Sequence, residues 1–342
     1  MTLLLTEEQA SLADAVRSWA SSGDVLAHAR TEPSYDDDIA AALAGAEQLG
    51  LLTLLDDDQG GTQADLAVVA MELGHAGSPA PVVESALARR SGLAGGGVFV
   101  LALTAPEQPP VLGKPGGDGE LVLTGRVEAV ASGAQADALL VAARTDAGEV
   151  LAVVETAAPG VTRTPRTTLD VTRPIAMVEL DGVTVTPAAW TGDDAVLAVI
   201  SDAYALHVAA DAVGAATRLL AQTVAYVQQR EQFGRIIGSF QAVKHHAATM
   251  ALTVEAATAA VRAAAASFAT DDEDARAHAV SVAAAYAKPG CARVAGTAIQ
   301  LHGGMGFTWE SDVHVLVRRI QTDHALAGTP AWHRRRLARL LG

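Results

Sequence analysis

From Asp193 to its C-terminus the chain keeps a helical period, with apolar residues at i, i+3, i+4 and i+7 and alanine at many contact positions; AVLAVISDAYALHVAADAVGAATRLLAQTVAYVQQR is the first such segment. Small residues let helices approach closely, so the pattern predicts a four-helix bundle. One stretch interrupts it. REQFGRIIGSFQAVKHHAATM, residues 230–250, sets a tight Phe-Gly turn between two long helices and gathers Arg230, Gln232, Gln241, Lys244, His245 and His246 within a few turns. A bundle corner needs a Gly or Asn and a hydrophobic contact, so this many polar groups points to an anion held there.

Two regions precede the bundle. Residues 1–95 read as an N-terminal helical domain: Thr6 with Glu7 and Glu8 starts one helix, Asp36–Asp38 precede a second over IAAALAGAEQLGLLTLL, and Thr62 opens a third that ends at Gly77. Residues 96–190 switch to short runs rich in Val, Leu and Thr, divided by Pro and Gly: VFVLALT, ELVLTGRVEAVA, ADALLVAAR, EVLAVVE and IAMVELDGVTV. These runs predict a middle antiparallel β-domain. Strands do not alternate with helices and no G-x-G-x-x-G follows a strand, which argues against a Rossmann dinucleotide domain. The C-terminal bundle domain takes residues 191–342, with the acidic DDEDAR at 271–276 marking a loop between two helices. The expected fold class is mainly α with a small β domain.

Composition narrows the function. A formal charge of -15 argues against nucleic-acid binding, which relies on clustered cations. The arginines of VRRI and WHRRRLAR read as a solvated helix face or a subunit contact. No uninterrupted apolar run reaches the roughly 20 residues of a bilayer span. The N-terminus MTLLLTEEQASLADAV lacks the basic start and cleavage site of a secretory signal, so a soluble cytoplasmic protein with no membrane partner is expected. Cys291 is the single cysteine, which leaves no internal disulfide, and no Cys/His cluster has zinc spacing.

Helical domain, β-domain, then bundle is the order of the acyl-CoA dehydrogenase family, and particular residues carry that resemblance over nearly the whole chain. REQFGRIIGSFQAVKHHAATM resembles the family's R-x-x-F-G…F-Q signature, and IQLHGGMGFTWE at 299–310 resembles its second signature. AEQLGLLTLL, GELVLTGRVEAVASGAQADALLVAAR and AGTPAWHRRRLA agree as well. The resemblance implies that the two signatures bind the adenine and pyrophosphate half of FAD belonging to a neighbouring subunit. An arginine can make two charge-assisted bonds to a pyrophosphate, which suits Arg230. Gln241 and Gln300 offer amide donors, Gly303, Gly304 and Gly306 let the backbone approach ligand oxygens, and Phe233 covers the ligand. With Gln232 from the same turn, the candidate cofactor-binding residues are Arg230, Gln232, Phe233, Gln241, Gln300, Gly303 and Gly304.

Departures from the family pattern matter equally. These dehydrogenases abstract an α-proton from a CoA thioester with a glutamate in a Glu-Gly-Thr segment. Ala327 stands there, before Gly328 and Thr329. A subset of the family carries its base on an earlier helix, and that position is Tyr204, whose phenol, with an ordinary pKa of about 10, is a poor base. Asp202, Asp211, Asp323 and His324 stand open as bases in a shifted register. The stretch LTAPEQPP is shorter than the family's flavin-ring loop, and the aromatic position of GRVEAVASG is Ala129 or Val130. No catalytic residue is assigned.

The resemblance therefore implies a non-catalytic subunit that completes the FAD site of a catalytic acyl-CoA dehydrogenase chain in an α2β2 heterotetramer. It further implies an acyl-CoA thioester substrate, in steroid side-chain oxidation, and electron-transfer flavoprotein or a similar acceptor. A self-sufficient homotetramer using Tyr204 or an unaligned acid, and a flavin-free scaffold, are the alternatives.

Overall fold

The computed structural model describes residues 4–21, 25–31, 35–93 and 97–342. Five helices come first: α1 (Glu7–Ala20), α2 (Val25–Thr31), α3 (Tyr35–Gln48), α4 (Gln63–Ala76) and α5 (Val82–Arg90). Thr6 and Thr62 cap α1 and α4 through capping boxes with Gln9 and Asp65, and Gly77, at φ 73°, ends α4 as its sequence predicts. Three features differ from expectation, the first being the short α2 itself. α3 already begins at Tyr35 and stops at Gln48, so LGLLTLL is a turn that buries Leu51 and Leu55 rather than a continuing helix. α5 starts directly after Pro81, because proline at a helix start forfeits no hydrogen bond.

The expected runs form β1 (Phe99–Ala102), and with it come β2 (Val111–Pro115), β3 (Leu121–Ala131), β4 (Ala138–Thr145), β5 (Gly148–Glu155), β6 (Val161–Arg166), β7 (Ile175–Val185) and β8 (Trp190–Thr191). Their order is β6-β7-β3-β2-β4-β5-β8, with β1 also on β4. Most ladders are antiparallel, but the sheet is mixed: β1 and β2 both run parallel to β4, with Phe99 opposite Ala138 and Val111 opposite Ala143. They are successive pieces of one line, broken where Pro106, Pro109 and Pro110 cannot donate to a ladder. β2 and β6 are not legible in sequence because β6 is an exposed edge carrying Pro165 and β2 carries Gly113 and Pro115.

The bundle consists of α6 (Asp194–Gln229), α7 (Gln241–Ala266), α8 (Glu273–His302) and α9 (Val313–Ala325), with α10 (Pro330–Leu340) laid against α8. α6 is long and apolar enough to cross a membrane, yet 78% of its apolar window is buried inside the protein. The acidic run marks the α7–α8 connection as expected and also opens α8: Asp271 and Asp272 precede the helix, Asp272 accepts from the Ala275 amide at 2.9 Å, and Glu273 and Asp274 occupy the first turn, where the helix dipole favours carboxylates.

α4 crosses α6 at two facing glycines. A Cβ on Gly74 would overlap the Asp211 carbonyl, and one on Gly214 would overlap the Met71 carbonyl. Backbone cannot yield as a side chain does, so Gly214→Ala should cost about 1–3 kcal/mol or more, read as a lowered urea midpoint with unchanged slope.

Candidate functional site

α7 runs antiparallel to both α6 and α8, so the end of α6, the start of α7 and the end of α8 meet at one end of the bundle. Two short strands, β9 (Glu231–Gln232) and β10 (Arg235–Ile236), form a hairpin there. Phe233 and Gly234 make its turn with φ of 55° and 73°, the doubly positive pair that a two-residue turn of this hand requires. A phenylalanine in that region is strained, and its ring is 91% exposed. The hairpin's foot presses on α6: a Cβ at Gly238 would lie 2.8 Å from the Val227 carbonyl oxygen.

The second signature is tied to the same end. Tyr226 stacks on His302 at 4.4 Å between centroids, and its hydroxyl donates to the His302 carbonyl at 3.4 Å. Arg230 caps α6 one turn beyond Tyr226, and Gly303, at φ 59° and ψ -137°, caps α8 immediately after His302. Arg230, Gln232, Gln241, Gln300, Gly303 and Gly304 are all exposed. Nothing lies within 4 Å of a Cβ built on Gly303 or Gly304, so open space faces both. Gly306 differs from expectation: it is buried with its Cα side against Ile299, and its small size serves packing.

Charge at this end is unbalanced. Among the described residues no carboxylate pairs with Arg230, Arg235 or Lys244, and Arg235 instead lies over the Phe240 ring at 4.0 Å. Three unpaired cations against one exposed carboxylate, Glu231, leave this end net positive on a protein of charge -15, an anion-accepting surface at the same bundle end as the open glycines.

The family's acid-base position is built differently. Where the N-terminal helices, the sheet and the bundle meet, Leu73, Ala80, Val83, Glu84, Arg173, Tyr204, His207, Val208, Asp211 and Arg319 surround a cavity of about 30 Å³. Arg319 forms a bidentate pair with Asp211 at 2.8 and 2.6 Å and also donates to the Ser78 carbonyl and the Thr172 hydroxyl. Arg173 donates to Asp170 at 2.9 Å and to Asp323 at 2.7 Å.

Protonation follows from burial. Burial opposes a charge on Asp211, but Arg319 and Arg173 overcome it and hold the carboxyl below its ordinary range. Asp323, fully buried and near Asp211, is pushed well above that range by its burial, despite Arg173. Burial also raises Glu84 and the Tyr204 phenol, and lowers His207 to about 3.

None of the candidate bases stands ready. Tyr204 is 7% exposed and held protonated; Asp202 is closed between Arg336 and Arg276; Asp211 and Asp323 belong to the network. His324 does not line the cavity.

At the α9–α10 corner Ala327 takes φ 51°. Three successive carbonyls hold it: Lys288 Nζ donates to Leu326 and Gly328 at 2.5 and 2.9 Å, and the neutral His333 ring donates from Nε2 to Ala327 at 3.1 Å. Sequence reasoning missed Glu107, which the Pro-rich β1–β2 loop brings here to accept from Thr329 Oγ1 at 2.6 Å, with Arg335 at 3.7 Å. At the head of that loop the Thr104 hydroxyl is buried without a partner among the described residues. Ala129 is exposed and Val130 lies in the core of β3, so neither supplies an aromatic face.

Lys288 makes stability depend on pH. Burial lowers its ammonium to about 7 from 10.5, against the pull of Asp323 and Glu107. Between those values the unfolded chain binds the proton and the folded chain does not, so stability should rise with pH across that window. The urea midpoint of the wild type relative to Lys288→Met should climb from pH 7 to pH 10; a flat difference would contradict the burial argument.

Comparison with known proteins places this geometry. Residues 202–342 match the model of the acyl-CoA dehydrogenase C-terminal domain. Acyl-CoA dehydrogenase IpdE2 of Mycolicibacterium smegmatis is 35% identical over 340 residues, covering 98% of this chain and 96% of that protein. The chain belongs to the acyl-CoA dehydrogenase family. Members are flavin-dependent oxidoreductases. Among solved structures similar to this acyl-CoA dehydrogenase chain, the ChsE4–ChsE5 complex of Mycobacterium tuberculosis superposes with TM-score 0.92 at 26% identity, covering 100% of this chain and 99% of the other. A Tcur3481–Tcur3483 steroid ACAD variant superposes with TM-score 0.88 at 26% identity, covering 98% of each chain.

Proposed function

We propose that this chain is the non-catalytic subunit of a heteromeric acyl-CoA dehydrogenase and supplies the adenine-pyrophosphate half of a FAD site whose flavin ring and base lie on a partner chain. One contrast carries the reading: the cations at the bundle end stand unpaired and open, while Asp202, Asp211 and Asp323, the acids nearest the family's base positions in sequence, are locked to arginines or kept protonated. FAD supplies hydride acceptance when bound, and the residues here fit only part of it. Arg230, with Arg235 and Lys244 near it, would hold the pyrophosphate; Gln232, Gln241 and Gln300 would donate amides; Phe233 would lie over the adenine end; Gly303 and Gly304 would present backbone N–H groups. No residue at Ala327 or Tyr204 can take an α-proton.

The similarity to a ChsE4–ChsE5 complex and to a steroid ACAD supports an α2β2 partnership and a CoA thioester of a steroid side chain as substrate. Electron-transfer flavoprotein or a similar protein would accept the electrons, in the cytoplasm. Purification of the chain alone and with its partner, with flavin counted per chain and thioester oxidation assayed, tests the proposal. The expected result is little FAD and no turnover alone, and about one FAD per pair of chains in the complex. Full occupancy and turnover by the chain alone would overturn it.

A further inference from the structure

The 30 Å³ cavity at the three-way junction has room for one water, not for a chain of methylenes. Its wall is mixed. Leu73, Ala80, Val83 and Val208 are apolar, Glu84, Tyr204 and His207 add uncharged polar groups, and Arg173, Arg319 and Asp211 reach across from the sheet, α9 and α6. The sheet contributes Arg173 from the segment before β7, and that arginine bonds to Asp323 on α9; Arg319 on α9 bonds to Asp211 on α6 and to Thr172 and Ser78. Each charge is therefore satisfied from another element, and the three layers are stapled together across the space.

We infer that the Arg319–Asp211 pair, braced by Arg173, is what excludes an acyl chain from this subunit, so that the apolar wall behind it is the floor of an acyl cavity that the pair fills. This rests on the reading of the chain as a non-catalytic subunit. An alkyl group entering here must separate a bidentate, buried ion pair that also holds the Ser78 carbonyl and the Thr172 hydroxyl, and nothing it brings replaces those bonds. Exclusion thus comes from occupancy by charge as well as from the missing base. Adding a glutamate at Ala327 would not by itself restore thioester binding.

Removing both charges together avoids leaving one buried alone. Arg319→Ala with Asp211→Ala deletes two side chains beside the apolar wall and opens it; Arg319→Met with Asp211→Leu deletes the charge but keeps the volume. Octanoate is the probe, measured by equilibrium dialysis on the full chain, with circular dichroism and assembly with the partner as checks of folding. Wild type and the volume-keeping variant should show no saturable binding, and the opened variant should bind one octanoate per chain at least tenfold more tightly than either.

Saturable binding to wild type that Arg319→Met with Asp211→Leu abolishes would overturn the inference, and this measurement stands even if the opened variant fails to fold. A folded, assembling opened variant that binds no octanoate would overturn it too. Either outcome leaves the subunit assignment intact, which falls only if the chain alone carries FAD and turns over thioester.

Discussion

Arg230→Ala is expected to weaken FAD retention by the assembled complex by about 10- to 100-fold, because an arginine's charge-assisted bonds to a pyrophosphate contribute about 1.5–3 kcal/mol. The side chain is exposed and unpaired in this chain, so its loss should leave the fold unchanged. Equal melting temperatures for wild-type and variant apo-chain, with flavin lost only from the variant complex on dilution, would show that the cation serves the ligand. Lysine at this position should recover only part of the affinity, since it offers one point charge where arginine offers a planar fork. Unchanged flavin retention in Arg230→Ala would mean that the bundle end binds no pyrophosphate.

Arg319→Ala alone should destabilise the chain by about 3–5 kcal/mol, because it strands Asp211 in the interior and leaves the Ser78 carbonyl and Thr172 hydroxyl without their donor. Joint replacement by Met and Leu removes both charges and keeps the packing, and should recover most of that loss, short of the bonds to Ser78 and Thr172. The urea midpoint of each variant measures the difference. A single variant as stable as the double one would show that Asp211 finds another partner, for which Arg173 at 3.7 Å is the nearest cation.

Much of the molecule is legible in its residues. The helical period with alanine contacts specifies a bundle because only tight helix packing buries that stripe; Thr6, Thr62 and Gly77 mark helix ends because they satisfy or release terminal backbone groups. Strands with alternating branched residues are equally plain. What escapes is whatever depends on a partner from elsewhere in the chain. β6 and β2 carry Pro and Gly and are strands only because β7, β3 and β4 are beside them. α5 is hidden behind the prolines that precede it.

The candidate site divides the same way. Arg230, Gln241 and Gln300 stand out by motif, and the turn at Phe233-Gly234 follows from local chemistry. That the chain lacks a glutamate at Ala327 and Tyr204 is likewise fixed by residue identity, since neither a methyl group nor a phenol gains a carboxylate's basicity from its surroundings. The fate of Asp202, Asp211 and Asp323 is another matter. A carboxylate's role depends on what faces it, and Arg276 and Arg336, Arg319, and Arg173 lie 74 to 150 residues away in the chain. Only the packing of sheet, α6 and α9 brings those arginines in, turning Asp202 and Asp211 into buried ion pairs, holding Asp323 against Arg173, and closing the space an acyl chain would need.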